Sequence, residues 1–135
     1  MARRWLLLLG SNLASAACLR EALDRLAALG EVDVLTAIRQ LPANNGRGRD
    51  YHNVLVVLGL ESDIDAAKLA PQLKRIESGL GRRPGEEVAI DIDILAAAEG
   101  ARWRVDAHAL AKREFEHAPA TTLLAEAGIS LEPAI

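Results

Sequence analysis

The sequence predicts one α+β domain, a sheet with helices packed on it, whose elements follow the order β-α-β-β-α-β. Three observations support this prediction. The chain of 135 residues has room for a single hydrophobic core. Short apolar runs bounded by turn residues alternate with stretches of helical periodicity. No internal repeat or low-complexity linker interrupts the pattern. We therefore expect residues 1–135 to form one domain.

Apolar or alternating segments are predicted to be the strands. The first is a short apolar run that Gly10-Ser11-Asn12 ends, as expected for a buried strand that enters a tight loop. The last core strand alternates strictly, and an edge strand follows the Glu99-Gly100 turn. The predicted strands are residues 5–9, 32 to about 41, 53–60, 88–95 and 102–105.

Helical periodicity predicts helices at residues 15–29 and 62–80, and a last helical region at residues 108–127 that Pro119 interrupts. In the second of these, Ser62 and Asp65 are predicted to form a capping box. Pro71 lies inside the same pattern and predicts a kink or a late helix start, because proline removes a backbone hydrogen bond.

This order of elements is typical of the ferredoxin-like plan. The first two helices are amphipathic on one side only, which predicts that they cover one face of the sheet. The other face would then be free to make a site. Two polar segments, Ala43–Arg49 and Gly81–Glu87, are predicted to be exposed loops.

Composition excludes some functional classes. Sixteen Lys and Arg against nineteen Asp and Glu give a net charge of −3, which disfavours binding to nucleic acid. The apolar runs are far shorter than the ~20 residues of a membrane-spanning helix, so no membrane partner is expected. The only cysteine, Cys18, fits a reducing compartment, so we expect a cytoplasmic protein. Small basic groups remain that could face a triphosphate: Arg47, Arg49, Lys74, Arg75, Arg82, Arg83, Lys112 and Arg113.

The segment Ile90-Asp91-Ile92-Asp93-Ile94 contains the most informative local pattern. A strand places alternate side chains on one face, so Asp91 and Asp93 are predicted to lie together while the isoleucines pack against the helices. Two carboxylates at that spacing suit one or two Mg²⁺ ions that also bind phosphate oxygens. An ordinary exposed polar face of a strand explains the same pattern, and spacing alone leaves both interpretations open.

Tyr51 and Asn53 precede an apolar strand. A tyrosine can stack on a heterocycle, and an asparagine can both donate to its edge and accept from it. These residue types are also common at strand starts, and position alone favours that simpler interpretation.

Several motifs together resemble one family, the 6-hydroxymethyl-7,8-dihydropterin pyrophosphokinases, over about residues 4–124. In chain order these motifs are Gly10-Ser11-Asn12-Leu13, Arg39-x-x-Pro42, Asp50-Tyr51-x-Asn53, Arg75-Ile76-Glu77 with Gly81-Arg82, Asp91-Ile92-Asp93-Ile94-Leu95, and Arg113-x-Phe115 followed by Pro119. The resemblance implies a ferredoxin-like fold and the transfer of pyrophosphate from ATP to the hydroxymethyl group of the reduced pterin, with release of AMP, in folate biosynthesis.

The resemblance also implies roles for single residues. Asp91 and Asp93 would hold two Mg²⁺ ions at the ATP phosphates and, with Arg82 and Arg113, would form the catalytic set. The pterin would lie between Tyr51 and Phe115, with Asn53 at its edge and backbone groups of Leu41, Pro42 and Ala43 lining the pocket. Glu77, Arg82 and Arg113 would surround the nucleotide. The expected partners are thus ATP and a reduced pterin.

The chain departs from the family pattern just before the acidic pair. The loop between Arg82 and Asp91 is short, and its glutamates Glu86 and Glu87 would repel a triphosphate. Val88 replaces an arginine of the family, and His108 stands one position after the expected histidine. An alternative function is therefore a catalytically weakened paralogue that binds pterin or nucleotide as a regulatory protein.

Overall fold

The structure is a computed structural model, and it describes residues 1–42, 50–81 and 87–132. Seven strands and four α-helices lie within these ranges, together with a short 3-10 helix at Glu114–Glu116. The strands are β1 (Ala2–Ser11), β2 (Glu31–Val34), β3 (Arg39–Leu41), β4 (Tyr51–Ile64), β5 (Asp91–Glu99), β6 (Arg102–Val105) and β7 (Leu131–Glu132). The helices are α1 (Ala17–Ala27), α2 (Ala66–Gly79), α3 (Ala107–Ala111) and α4 (Ala118–Ala127).

All seven strands belong to one mixed sheet, in which six follow the order β2-β4-β1-β5-β6-β7. The seventh, β3, pairs with residues 51–53 at the start of β4, whereas β2 pairs with residues 56–59 farther along β4. The neighbours from β2 to β6 are antiparallel, and β6 and β7 are parallel. The α+β prediction is therefore confirmed, as is a strand at Arg102–Val105. Its predicted place at the edge of the sheet is wrong, because β7 pairs with its outer side.

The single strand predicted from Val32 to about Leu41 is wrong, because this segment forms two strands, β2 and β3, and residues 35–38 between them belong to neither. Both pair with β4. At the break, the Thr36 hydroxyl accepts a hydrogen bond from the Leu55 N–H at 3.2 Å. The Thr36 hydroxyl here takes the place of a strand carbonyl as acceptor. The Leu55 N–H of β4 therefore keeps a hydrogen-bond partner in the gap between β2 and β3.

Both faces of the sheet are covered, so the prediction of one free face is wrong. Leu7 and Leu9 of β1 belong to a core cluster with buried residues of α1 and α2. Leu6 and Leu8 belong to a second cluster with Leu55 of β4 and buried residues of α3 and α4. Because β1 is apolar at successive positions, leaving either face in water would expose large side chains. Space for a site remains at one end of the second face.

The start of α2 also differs from the prediction. Strand β4 continues to Ile64, which pairs with Ala2, so Ser62 is part of the strand. Asp65 alone caps the helix, and its side chain accepts a hydrogen bond from the Lys68 N–H at 2.9 Å. The predicted capping box is therefore wrong, and α2 does not begin at Pro71, which lies inside it. No helix within the described residues is long and apolar enough to cross a membrane.

Candidate active site

Three neighbouring strands place the predicted site residues on one face of the sheet. Asn53 of β4 pairs with Gly10 of β1, and Gly10 pairs on its other side with Asp91 of β5. Directly opposed residues of a sheet project to the same face. Tyr51 and Asp93, each two residues along the same strand, share that face. The structure thus brings the predicted pterin residues and the predicted metal residues together.

Asn53 is held in one orientation and has an unsatisfied acceptor. The residue is 4% exposed, and its Nδ2 donates to the Leu9 carbonyl at 3.2 Å. Its Oδ1 is buried and accepts no hydrogen bond from any described residue. Gly10 makes room for this side chain, since a Cβ there would lie 2.8 Å from Asn53 Nδ2 and 3.3 Å from Tyr51 Cδ2. A buried acceptor without a partner indicates a place where a ligand can donate.

The two aspartates and the tyrosine influence one another's protonation. Burial of its carboxyl group, followed by repulsion from Asp93 and Glu77, raises the pKa of Asp91 from 3.8 to about 6. The residue as a whole is still exposed, so water limits the effect of burial. Burial, Asp91 and Asp93 likewise raise the pKa of the Tyr51 hydroxyl. The carboxylates therefore carry a mutual repulsion that a bound cation would relieve.

Lys112 was only one of several basic residues that the sequence offered for a triphosphate, and its contacts with Asp93 and Glu114 were not predicted. Lys112 Nζ lies 3.1 Å from Asp93 Oδ1 and 3.6 Å from Glu114 Oε1. Between them, Arg113 adopts a left-handed conformation with φ 60°, which reverses the chain. Burial and repulsion from Asp93 raise the pKa of Glu114. Burial lowers the pKa of Lys112, but Asp93 and Glu114 outweigh it, and the net shift is upward.

Other predicted pterin contacts flank the same face. Leu41 is directly opposite Tyr51 and is buried in the second core cluster. Phe115 packs against that cluster and is half-buried, so part of it remains accessible. Pro42 is exposed next to Leu41, whereas Ala43 lies outside the described residues.

The residues predicted to surround the nucleotide are not brought together as closely as those predicted for the pterin. Glu77 Oε2 accepts a hydrogen bond from the Ile92 N–H at 2.8 Å, so it fixes β5 between the two aspartates. Arg113 has a side chain that is 76% exposed and pairs with Glu116 at 3.6 Å. Arg82 lies outside the described residues. Beside Glu77 is a surface pocket of about 290 Å³, which is lined by Lys74, Glu77, Ser78, Gly81, Glu87, Val88, Ala89 and Ile90.

The Gly10-Ser11-Asn12 turn anchors the segment that leads into β5. The Asn12 N–H donates to the Val88 carbonyl at 3.1 Å, and the Val88 N–H donates to Asn12 Oδ1 at 2.5 Å. The Ser11 hydroxyl donates to the same carbonyl at 3.4 Å. Val88 is thus held to this turn through its backbone N–H and carbonyl, and its side chain takes no part in these hydrogen bonds. His108 is exposed on α3.

The donor set determines which cations fit. Within the described ranges, no three or more His, Cys, Asp or Glu side chains are grouped closely enough to hold a metal by themselves. Asp91 and Asp93 offer only hard oxygen ligands. Such a pair fits Mg²⁺, which keeps several waters and shares its coordination with phosphate oxygens.

The profile of the 7,8-dihydro-6-hydroxymethylpterin-pyrophosphokinase (HPPK) family matches residues 6–125 of the 135-residue chain. The chain belongs to this family. The match extends from β1 into α4 and confirms the resemblance that the motifs indicated. No curated protein matches the chain closely enough to add a relative by name.

Membership in the HPPK family implies pyrophosphokinase activity in folate biosynthesis, which is a transferase activity. The family uses ATP as a co-substrate, generally with Mg²⁺, and binds a pterin.

Proposed function

We propose that the chain transfers the pyrophosphoryl group of ATP to the hydroxymethyl oxygen of 6-hydroxymethyl-7,8-dihydropterin and releases AMP. One observation supports this most directly. Asn53, Gly10 and Asp91 form a single row across three strands, so a pterin at one end of the row and a polyphosphate at the other would be neighbours. Holding the two reactants in contact supplies a large part of the rate enhancement in such transfers.

At the pterin end of the row, side chains are available for both the hydrogen-bonding edge and the flat faces of the pterin. Asn53 Oδ1 is a buried acceptor, and the bond from Nδ2 to Leu9 prevents the amide from turning over. It would accept a hydrogen bond from an N–H of the pterin edge. Tyr51 and Phe115 would supply the stacking surfaces, and the backbone of Leu41, Pro42 and Ala43 would line the pocket.

At the phosphate end, Asp91 and Asp93 would hold Mg²⁺, which when bound offsets the charge of the phosphate oxygens. Arg113 has an exposed side chain whose only described ion pair is with an exposed glutamate. It is therefore available to contact the nucleotide, as Arg82 is expected to be. Glu77 would act through Ile92, keeping the aspartates in position.

The fold proposal is a ferredoxin-like core formed by β1, β2, β4, β5, α1 and α2. Its support is the antiparallel order β2-β4-β1-β5, together with the packing of both helices on the same core cluster. On this plan β6, β7, α3 and α4 are additions, and the turn that follows α3 brings Lys112 to the acidic pair.

The proposal is tested by following AMP release from ATP with and without the pterin. We expect AMP only when ATP, Mg²⁺ and pterin are all present. Asp91→Asn should lower the rate at least ~100-fold, since it removes a metal ligand at the reacting group. Asp63→Asn is the matched control, because Asp63 forms an exposed pair with Arg3. Calorimetry in parallel measures pterin binding. Pterin binding without AMP release would favour the regulatory paralogue, and no pterin binding would refute the pocket.

A further inference from the structure

The strand that borders the pterin end of the site is short and has little support from the sheet. Strand β3 contains three residues, Arg39–Leu41, and among the described strands it pairs with β4 alone. Two of its residues lie directly opposite predicted pterin residues, Arg39 opposite Asn53 and Leu41 opposite Tyr51. A strand this short needs contacts outside the sheet to stay in place.

Helix α4 supplies such contacts. Leu41 is buried in the second core cluster together with Leu123 and Leu124 of α4. At the other end of β3, Arg39 Nη1 donates a hydrogen bond to Glu126 Oε1 near the end of α4, and the two side chains form an ion pair. These residues are 87 positions apart in the sequence. The helix therefore holds β3 at both ends, by apolar packing at one and by charge at the other.

The same helix is connected to the second aromatic residue of the pterin end. Phe115 lies in the 3-10 helix Glu114–Glu116, and a single residue, His117, separates this element from α4. Phe115 also packs against the second core cluster. Of the two rings proposed to stack on the pterin, Tyr51 is thus linked to α4 through β3, and Phe115 through the chain itself. The position of α4 relative to β3 therefore affects the gap between the two rings.

We propose that Arg39 and Glu126 are a positioning pair for the pterin, which joins β3 to α4 and so fixes the gap between Tyr51 and Phe115. The inference rests on the proposed function, because the gap matters only if the pterin stacks there. The two side chains are 46% and 35% exposed, so the pair contributes little to overall stability. Stacking is more sensitive, because a ring that moves away from the pterin loses its contacts on that whole face.

Breaking the pair should weaken pterin binding and leave nucleotide binding unchanged. We expect Arg39→Met or Glu126→Gln to lower pterin affinity about threefold to fivefold, the upper part of the range for an exposed ion pair. Nucleotide affinity should stay the same, because the acidic pair lies on β5, which β4 and β1 separate from β3. Salt screens an exposed pair, so pterin affinity should fall more with ionic strength in the unaltered chain than in Arg39→Met.

Calorimetry measures the affinity of 6-hydroxymethyl-7,8-dihydropterin for the chain saturated with Mg²⁺ and α,β-methylene-ATP, whose methylene group replaces the oxygen that pyrophosphoryl transfer would release. A second titration measures the affinity of the analogue itself. The exchanged variant Arg39→Glu/Glu126→Arg again places opposite charges together and should recover most of the pterin affinity that the single variants lose. The matched control Arg3→Met breaks another exposed pair, with Asp63 at 3.3 Å, and should leave pterin affinity unchanged.

Equal pterin affinity in Arg39→Met and the unaltered chain would overturn the inference and leave the proposed function intact. A loss that the exchanged variant does not recover would also overturn it, because the two residues would then not act as a pair. So would an equal loss of analogue affinity, which would indicate a general disturbance of the fold. Failure of the pterin to bind the unaltered chain would refute the proposed function and this inference with it. Should the exchanged variant fail to fold, the difference in salt dependence between the unaltered chain and Arg39→Met decides.

Discussion

Replacing Gly10 by alanine should displace the side chains of Asn53 and Tyr51 at the pterin end of the site. A Cβ at this position would lie 2.8 Å from Asn53 Nδ2, a distance that real Cβ contacts essentially never show. The Asn53 amide must then move, and its hydrogen bond to the Leu9 carbonyl at 3.2 Å is lost. Tyr51 Cδ2, at 3.3 Å from the same Cβ, is pressed outward as well.

The size of the effect follows from the structure. Leaving the buried Asn53 amide without its acceptor costs about 1–3 kcal/mol in the free energy of unfolding. The alanine also restricts the unfolded chain, which stabilises by about 0.4–1 kcal/mol. The net destabilisation for Gly10→Ala is thus about 0–2.6 kcal/mol, with a central value near 1.3 kcal/mol. Pterin affinity should fall about tenfold or more, because a displaced amide no longer meets the pterin edge.

Gly59→Ala is the matched control. Gly59 also lies in a strand, but an added Cβ there would meet only Glu31 atoms at 3.8 and 3.9 Å, which is ordinary contact. The unfolded-state effect is similar in both variants, so the difference between them isolates the displacement of Asn53. Urea denaturation gives that difference, and calorimetry gives the pterin affinity. Equal stability and equal affinity for the two variants would refute this account of the Asn53 pocket.

Three further perturbations test other parts of the structure. Asp65→Ala should lower the free energy of unfolding, measured by urea denaturation, by ~1 kcal/mol, because α2 loses its cap. Ser62→Ala should change it little. A larger loss for Ser62→Ala than for Asp65→Ala would support the predicted capping box. Glu77→Ala should cost about 1–3 kcal/mol in the same assay, because the Ile92 N–H loses its acceptor, whereas Glu77→Gln keeps an acceptor and should cost less. The pKa of Asp91 is about 6 in the folded protein, against 3.8 ordinarily. Between these values the folded state binds more protons than the unfolded state, so stability should fall as pH rises from 4 to 6.5, and the fall should be shallower in Asp91→Asn. An identical pH slope in that variant would contradict the shift.

The local sequence patterns of strands predicted the elements on which the site residues lie. Alternation in β5 placed Asp91 and Asp93 on one face and their isoleucine neighbours against the helices, as the structure confirms for Ile90 and Ile92. A period of two residues is a property of the strand itself, so it survives any tertiary arrangement. The apolar run of β1 likewise predicted a buried strand.

Features that depend on distant contacts were not predictable. Lys112 reaches Asp93 across 19 residues of sequence, from the C-terminal end of α3. Ser62 looked like a helix cap, but β4 continues past it because Ile64 finds a partner in Ala2. The assignments of Ala43 and Arg82 lie outside the described residues and stay predictions.

The reaction itself gives the most direct test of the central claim that this chain transfers a pyrophosphoryl group. Phosphorus NMR of a mixture of ATP, Mg²⁺, pterin and the chain identifies which phosphate bond is broken. We expect AMP and a pterin diphosphate in equal amounts, since the bond between the α and β phosphates is the one that opens. Formation of ADP and a pterin monophosphate, or no change in either substrate although both bind, would contradict the account.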